Sequence, residues 1–184
     1  IGGHSDLLLG SVSVRDEEAY NIVGPIYMQL GLAVSPDDCS LALRGLQTLA
    51  LRLDQLEKST LKIALWLSEN NIIHEVYHPA FKSCPGHDIW KRDFTGSASV
   101  FSFTFVDNVS SKQVETFINA LHIFKIGLSW GGVTSLAVVY PDLVRPNKDF
   151  GGRLVRLNIG LEAVDDLIND LELAISNINS LKYN

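Results

Sequence analysis

The sequence contains no apolar run long enough to cross a bilayer and no cluster of basic residues. Spanning a bilayer takes about 20 consecutive apolar residues, and no stretch of this 184-residue chain approaches that length. Its 15 basic and 21 acidic side chains give a net charge of −6, so nothing is expected to attract it to phosphate backbones. The first residues also lack the basic-then-apolar pattern of a signal peptide. We therefore expect a cytoplasmic protein with neither a membrane nor a nucleic acid as partner.

Cysteine is scarce, and its spacing excludes the usual cysteine sites. Cys39 and Cys84 match no metal-ligand or redox pattern, so free thiols are expected rather than a disulfide. Four histidines also share no ligand spacing, and these are His74, His78, His87 and His122. We interpret them as surface or hydrogen-bonded residues rather than metal ligands.

Polar residues at helix starts predict several helices. A helix over residues 16–30 has acidic residues in its first turn, where the helix dipole favours them. Ser35 followed by Pro36 predicts a second start, and leucines spaced by three, four and seven continue it as one long helix bent near Gly45. The tetrapeptide at 110–113 resembles a capping box that opens a further helix.

The apolar residues predict strands at 7–14, 72–77 and 99–106, and in the last of these three phenylalanines alternate with polar residues. Two more strands are expected on either side of the turn at 129–132, and an apolar stripe over 164–178 predicts the last helix. With 46% apolar residues the chain can form a sizeable core. This order of elements predicts a mixed α/β chain in which helices pack on an antiparallel sheet.

One arginine lies within a predicted strand at residues 154–159. The alternation places Val155, Leu157 and Ile159 on one face, so Arg156 projects from the other face, beside Leu154 and Asn158. A guanidinium fixed on a strand offers a planar pair of donors that suits a substrate carboxylate. From the residues alone, half of a salt bridge is the competing interpretation.

Five separated segments together resemble the Cys/Met-metabolism family of pyridoxal-phosphate enzymes, and within it the bacterial cystathionine β-lyases. They are IGGHSD at 1–6, RGLQTL at 44–49, HDIWKRDFTG at 87–96, SWGG at 129–132 and GRLVRLNIGLE at 152–162. The charged residues of the third segment are expected to form a solvated or subunit-contacting loop. The likeness extends over essentially the whole chain, and several motifs in order are more specific than one.

The resemblance implies a fold type I, transferase-like enzyme. Residues 1–45 would be the C-terminal remnant of the pyridoxal-phosphate-binding domain, and residues 46–184 the substrate-side α+β domain. The family's Schiff-base lysine would lie two positions before the residue that matches Ile1. The chain is therefore expected to be the C-terminal part of an enzyme and to be inactive alone, with no catalytic residue or metal ligand assigned in it and its cofactor-binding residues unknown.

The resemblance also implies the reaction and the substrate site. A cystathionine β-lyase splits cystathionine by β-elimination into homocysteine, pyruvate and ammonia, in the transsulfuration route of methionine biosynthesis. Arg156 matches the arginine that binds the α-carboxylate of the amino-acid substrate, and Ser129 and Trp130 would lie beside that carboxylate. Tyr27 corresponds to a tyrosine near the mouth of the active site, and a packing role is equally open.

Three alternatives remain at this point. Cystathionine γ-synthase and γ-lyase belong to the same family, and Trp130 is the distinguishing residue. Relatives that make cystathionine more often carry leucine there, whereas tryptophan is typical of bacterial β-lyases. A non-catalytic assembly domain is the third alternative. The family assembles tetramers from dimers, so a homo-oligomer is expected.

Overall fold

Two compact units make up the chain, Ile1–Ala50 and the part from Leu51 onward. The structure is a computed structural model, and it describes residues 1–146 and 148–180. The assignment of residues 1–45 to a cofactor domain and of 46–184 to a substrate-side domain stays a prediction.

The first unit contains two helices, α1 (Glu17–Gln29) and α2 (Pro36–Leu46). The Asp16 carboxylate caps α1 by accepting the amide hydrogen of Ala19 at 2.8 Å. The Ser35 hydroxyl caps α2 in the same way, through the amide of Asp38 at 3.0 Å. Both predicted helix starts are therefore confirmed.

The strand predicted at residues 7–14 is wrong. This segment forms no strand within the described part of the first unit, and the Leu8 side chain is 97% exposed. An apolar segment becomes a strand only where a second strand completes its backbone hydrogen bonds, and here no described strand pairs with it.

The described part of the second unit contains four helices, the first of which begins two residues before the unit does: α3 (Leu49–Ser68), α4 (His87–Asp93), α5 (Ser111–Asn119) and α6 (Val164–Ser180). The single helix bent near Gly45 is wrong, because α2 ends at Leu46 and α3 begins at Leu49. The loop expected around residues 88–93 is also wrong, since α4 occupies it. The capping box is confirmed, with the Ser110 side chain and Gln113 bonding reciprocally.

A five-stranded sheet has the order β1-β2-β7-β4-β3, and a separate pair of strands joins β5 to β6. The strands are β1 (Ile73–Tyr77), β2 (Val100–Phe105), β3 (Lys125–Ile126), β4 (Leu136–Val139), β5 (Val144–Arg145), β6 (Lys148–Asp149) and β7 (Leu154–Asn158). The expected antiparallel sheet is confirmed except at one edge, where β3 runs parallel to β4. Because β3 and β4 run in the same direction, the segment 127–135 must run back along the length of β3 before β4 begins. It therefore does not form a hairpin.

The core lies on one face of this sheet. Val155, Leu157 and Ile159 are fully buried there, in one cluster with the phenylalanines of β2 and apolar residues of α3, α5 and α6. The predicted alternation in β7 is therefore confirmed, and Arg156 projects from the opposite face.

No described helix is both long and apolar enough to cross a bilayer. Both cysteines are free thiols as expected, Cys39 exposed and Cys84 half-buried.

Candidate substrate-carboxylate site

Arg156 lies on the middle strand of the sheet. In register, it faces Ser102 on β2 and Val138 on β4. A central strand is held on both sides by backbone hydrogen bonds, so the backbone position from which the Arg156 side chain extends is fixed. The side chain itself is half-buried.

The guanidinium of Arg156 is held by the segment that joins β3 to β4. Nη2 donates to the carbonyl oxygen of Leu128 at 2.7 Å and to that of Ser129 at 3.3 Å. The Cζ atom lies 5.6 Å from the ring centroid of Trp130 and 5.8 Å from that of Tyr140. Both distances are within the range of cation–π attraction. The guanidinium is thus held at one nitrogen and lies over two aromatic rings.

Other donors of the same guanidinium remain unused. Nε is buried and has no hydrogen-bond partner, and among the described residues no carboxylate lies within ion-pairing distance of Arg156. A buried donor without a partner costs about 1–3 kcal/mol. Nη1 also has no hydrogen-bond partner among the described residues, and a carboxylate matches the planar geometry of a guanidinium. Arg156 therefore forms no salt bridge with any residue that the structure describes.

Asn158 lies two residues further along β7, on the same strand face as Arg156. It is 1% exposed. Its Oδ1 accepts hydrogen bonds from the Gly131 amide at 2.8 Å and the Ser99 hydroxyl at 2.9 Å, and its Nδ2 donates to the Thr134 carbonyl at 3.1 Å. The amide side chain therefore joins β7 to the segment that carries Trp130.

The residues that follow β7 hold the far end of the same segment. The Glu162 carboxylate accepts both the amide and the hydroxyl hydrogen of Ser135, each at 2.8 Å. A Cβ atom at Gly160 would clash with the carbonyl oxygen of Val133, so only glycine allows this close approach. These contacts give a physical reason for the glycine and glutamate of the GRLVRLNIGLE segment.

A second polar cluster holds the β5–β6 pair against the edge strand β1. Lys148 contacts both Glu75 and the Tyr77 hydroxyl, and Tyr77 donates to Glu75 at 2.5 Å. Burial acts to raise the pKa of Glu75, but hydrogen bonds from Lys148 and Tyr77 outweigh it and lower the pKa. This cluster has the ordinary form of a surface ion-pair network.

The structure brings together three of the four predicted substrate-binding residues: Arg156, Trp130 and Ser129. Ser129 takes part through its backbone carbonyl. Tyr27 lies on α1 in the first unit, partly exposed, and its role at the site stays a prediction.

Sequence reasoning missed two residues of the site. Asn158 could have been found, because the strand alternation already places it on the same face as Arg156. Tyr140 could not, because its place beside the guanidinium depends on the register between β4 and β7.

The fold is that of a fold type I enzyme that uses pyridoxal phosphate. Residues 1–176 match the sequence profile of the family described as "Cys/Met metabolism PLP-dependent enzyme". The chain belongs to this family, whose cofactor is pyridoxal phosphate.

Individual relatives carry several activities in their names. A cystathionine beta-lyase of Haemophilus influenzae is 38% identical over 182 residues, which cover 96% of this chain and 46% of that protein. An L-alanine/L-glutamate racemase of Wolbachia pipientis is 33% identical over 185 residues, 98% of this chain and 46% of that protein. The crystal structure of a cystathionine gamma synthase from Xanthomonas oryzae is similar with a TM-score of 0.86 at 31% identity, covering 97% of this chain and 48% of that one. The chain spans about half the length of the proteins it matches.

The described residues do not by themselves form a site that would hold pyridoxal phosphate. A lysine that forms a Schiff base is typically desolvated in a pocket. Every described lysine is exposed, and these are Lys58, Lys62, Lys82, Lys91, Lys112, Lys125 and Lys148.

Proposed function

We propose that the protein containing this chain is a carbon–sulfur lyase that cleaves cystathionine by β-elimination, in the transsulfuration route of methionine biosynthesis. The observation that carries the proposal is the guanidinium of Arg156, which is held in place, has no carboxylate partner among the described residues and lies against Trp130. The activity belongs to the whole protein, since the chain spans about half of its relatives. We also propose a cytoplasmic homotetramer built from dimers.

Arg156 would bind the α-carboxylate of the amino-acid substrate. A guanidinium carries a permanent positive charge and has only hydrogen-bond donors. It therefore acts as neither acid nor base and contributes by orienting the substrate, which can account for a large part of a rate enhancement. Pyridoxal phosphate, when bound, supplies the capacity to store the electrons released at the α-carbon.

Cystathionine γ-synthase or γ-lyase activity is the second candidate. The similarity to the Xanthomonas oryzae cystathionine gamma synthase favours it. Trp130 favours the β-lyase, because the resemblance associates tryptophan before the two glycines with that branch. An aromatic ring beside the carboxylate-binding arginine would narrow the substrate pocket more than a leucine side chain would.

Product analysis distinguishes these candidates. The whole protein, supplied with pyridoxal phosphate and cystathionine, should release pyruvate and homocysteine in equal amounts. Release of 2-oxobutyrate and cysteine would identify a γ-lyase. Formation of cystathionine from cysteine and an activated homoserine would identify a γ-synthase. The 184-residue chain alone is expected to yield no pyruvate under the same conditions, and a protein with none of these activities would refute the proposal.

A further inference from the structure

Trp130 is poorly held by packing. Its side chain is 65% exposed, and the segment around it, residues 127–135, forms neither helix nor strand. Gly131, the next residue, has a φ of +75°, a conformation that glycine adopts readily. The position of the Trp130 ring against Arg156 must therefore depend on how the backbone of this segment is anchored.

Two side chains on one face of β7 provide anchors on either side of Trp130. Arg156 binds the carbonyl oxygens of Leu128 and Ser129, before the tryptophan. Asn158 binds the Gly131 amide and the Thr134 carbonyl, after it. The Arg156 anchor uses the same guanidinium that would receive the substrate, so the anchor at Asn158 is the one that does not change role when a ligand binds.

The geometry points to Asn158 as a positioning residue that keeps Trp130 against the guanidinium of Arg156 and so sets the affinity for the substrate carboxylate. This inference rests on the proposed function for Arg156 as the carboxylate-binding residue. It assigns Asn158 a contribution to substrate binding through the backbone of residues 131–134, without contact to the substrate.

The side-chain chemistry explains why asparagine serves at this position. The site requires an acceptor for the Gly131 amide and a donor for the Thr134 carbonyl at once, and a carboxamide provides both. Aspartate would keep the acceptor and lose the donor, placing an oxygen against the Thr134 carbonyl. Alanine would lose both bonds.

Ser99 provides a matched control. Its hydroxyl donates to the same Oδ1 of Asn158 at 2.9 Å, and it is 2% exposed. Replacing Ser99 with alanine removes one hydrogen bond from the buried network but leaves both bonds between Asn158 and the segment of Trp130. The two kinds of variant therefore separate loss of the anchor from a general loss of stability.

The test uses the whole protein with pyridoxal phosphate bound, as wild type, Asn158→Asp, Asn158→Ala and Ser99→Ala. Steady-state kinetics with cystathionine should show a rise in KM of about fivefold to a hundredfold for both Asn158 variants, as expected for lost hydrogen bonds in a buried site. The kcat should change by less than about threefold, since a loss of uniform binding raises KM alone. Ser99→Ala should keep the wild-type KM.

Amide hydrogen exchange provides a readout that does not depend on activity. The amides of the peptide containing residues 128–134 should exchange faster in Asn158→Ala than in wild type. In Ser99→Ala they should exchange at the wild-type rate. If the wild type fails to cleave cystathionine, the proposed function fails, and the exchange result still decides whether Asn158 anchors the segment. Unchanged exchange in Asn158→Ala, or equal effects in Ser99→Ala, would overturn the inference. Should Asn158→Ala not fold, an unchanged KM in Asn158→Asp would overturn it equally.

Discussion

Replacing Arg156 with lysine keeps the positive charge and removes the planar fork. In the native site, Nη2 is occupied by the carbonyl oxygens of Leu128 and Ser129, which leaves other nitrogens of the guanidinium for a ligand. A lysine ammonium is one compact group, so it cannot bind the backbone and a carboxylate with the same geometry. Breaking one partner of a desolvated charge pair costs about 2–5 kcal/mol, and the retained charge places the expected loss at about 2–4 kcal/mol. This corresponds to a decrease in kcat/KM of roughly thirtyfold to a thousandfold.

The assay measures kcat/KM for cystathionine in the whole protein, with Arg153→Lys as the matched control. Arg153 precedes the same strand, and its Nη2 lies 2.9 Å from Asp107, whose carboxylate is almost fully exposed. Such a pair contributes little, so Arg153→Lys should change kcat/KM by less than about threefold. Both variants should unfold near the wild-type temperature. If Arg156→Lys keeps wild-type activity, or if the control loses as much, Arg156 does not bind the substrate.

Three further predictions concern Trp130, a buried histidine and a buried aspartate. Trp130→Leu should lower kcat/KM for cystathionine by about threefold to thirtyfold through loss of a cation–π contact. The loss measured with S-methylcysteine as substrate should be smaller. Equal losses with the two substrates would indicate that Trp130 contributes only packing. Burial lowers the pKa of His78, and this effect outweighs the charge of Glu57, which acts to raise it. The unfolded chain therefore binds more protons than the folded one. The free energy of unfolding should fall as the pH drops from about 7 through the pKa of an unfolded histidine, near 6.5. Urea unfolding of His78→Phe should show a flatter pH dependence, and an unchanged slope would contradict this. The Asp170 carboxylate accepts three backbone amides at 2.8–3.2 Å, so Asp170→Ala should lose about 3 kcal/mol of unfolding free energy, and a loss below about 1 kcal/mol would show that those amides find other partners.

Features that depend on local chemistry could be predicted from the sequence. The caps at Asp16, Ser35 and Ser110 each satisfy amides within three residues of themselves, so their signal lies in a few adjacent letters. The alternation around Arg156 likewise states which residues share a strand face. That was sufficient to separate the arginine from the core and to suggest a carboxylate ligand.

Features that depend on pairing between distant segments could not be predicted. Residues 7–14 are rich in apolar residues, which predicts a strand, yet a strand exists only with a partner. Because β3 pairs with β4 in parallel, the segment that carries Trp130 must run back along these strands. No local sequence pattern indicates that the two strands are parallel. Tyr140 reaches the guanidinium only through the register that sets Val138 opposite Arg156. The short helix α4 is preceded by Gly86, which provides no side-chain cap, so it lacked the signal by which the other helices were found.

The most direct test of the central claim is a double-mutant cycle between Arg156 and the carboxylate it is proposed to bind. Wild type and Arg156→Lys are each assayed with cystathionine and with an analogue that lacks the α-carboxylate on the half that undergoes elimination. If Arg156 binds that carboxylate, the substitution should cost at least thirtyfold in kcat/KM with cystathionine and almost nothing with the analogue, a coupling of about 2 kcal/mol or more. Equal losses with both substrates would contradict the claim, because the arginine would then act on something other than the carboxylate.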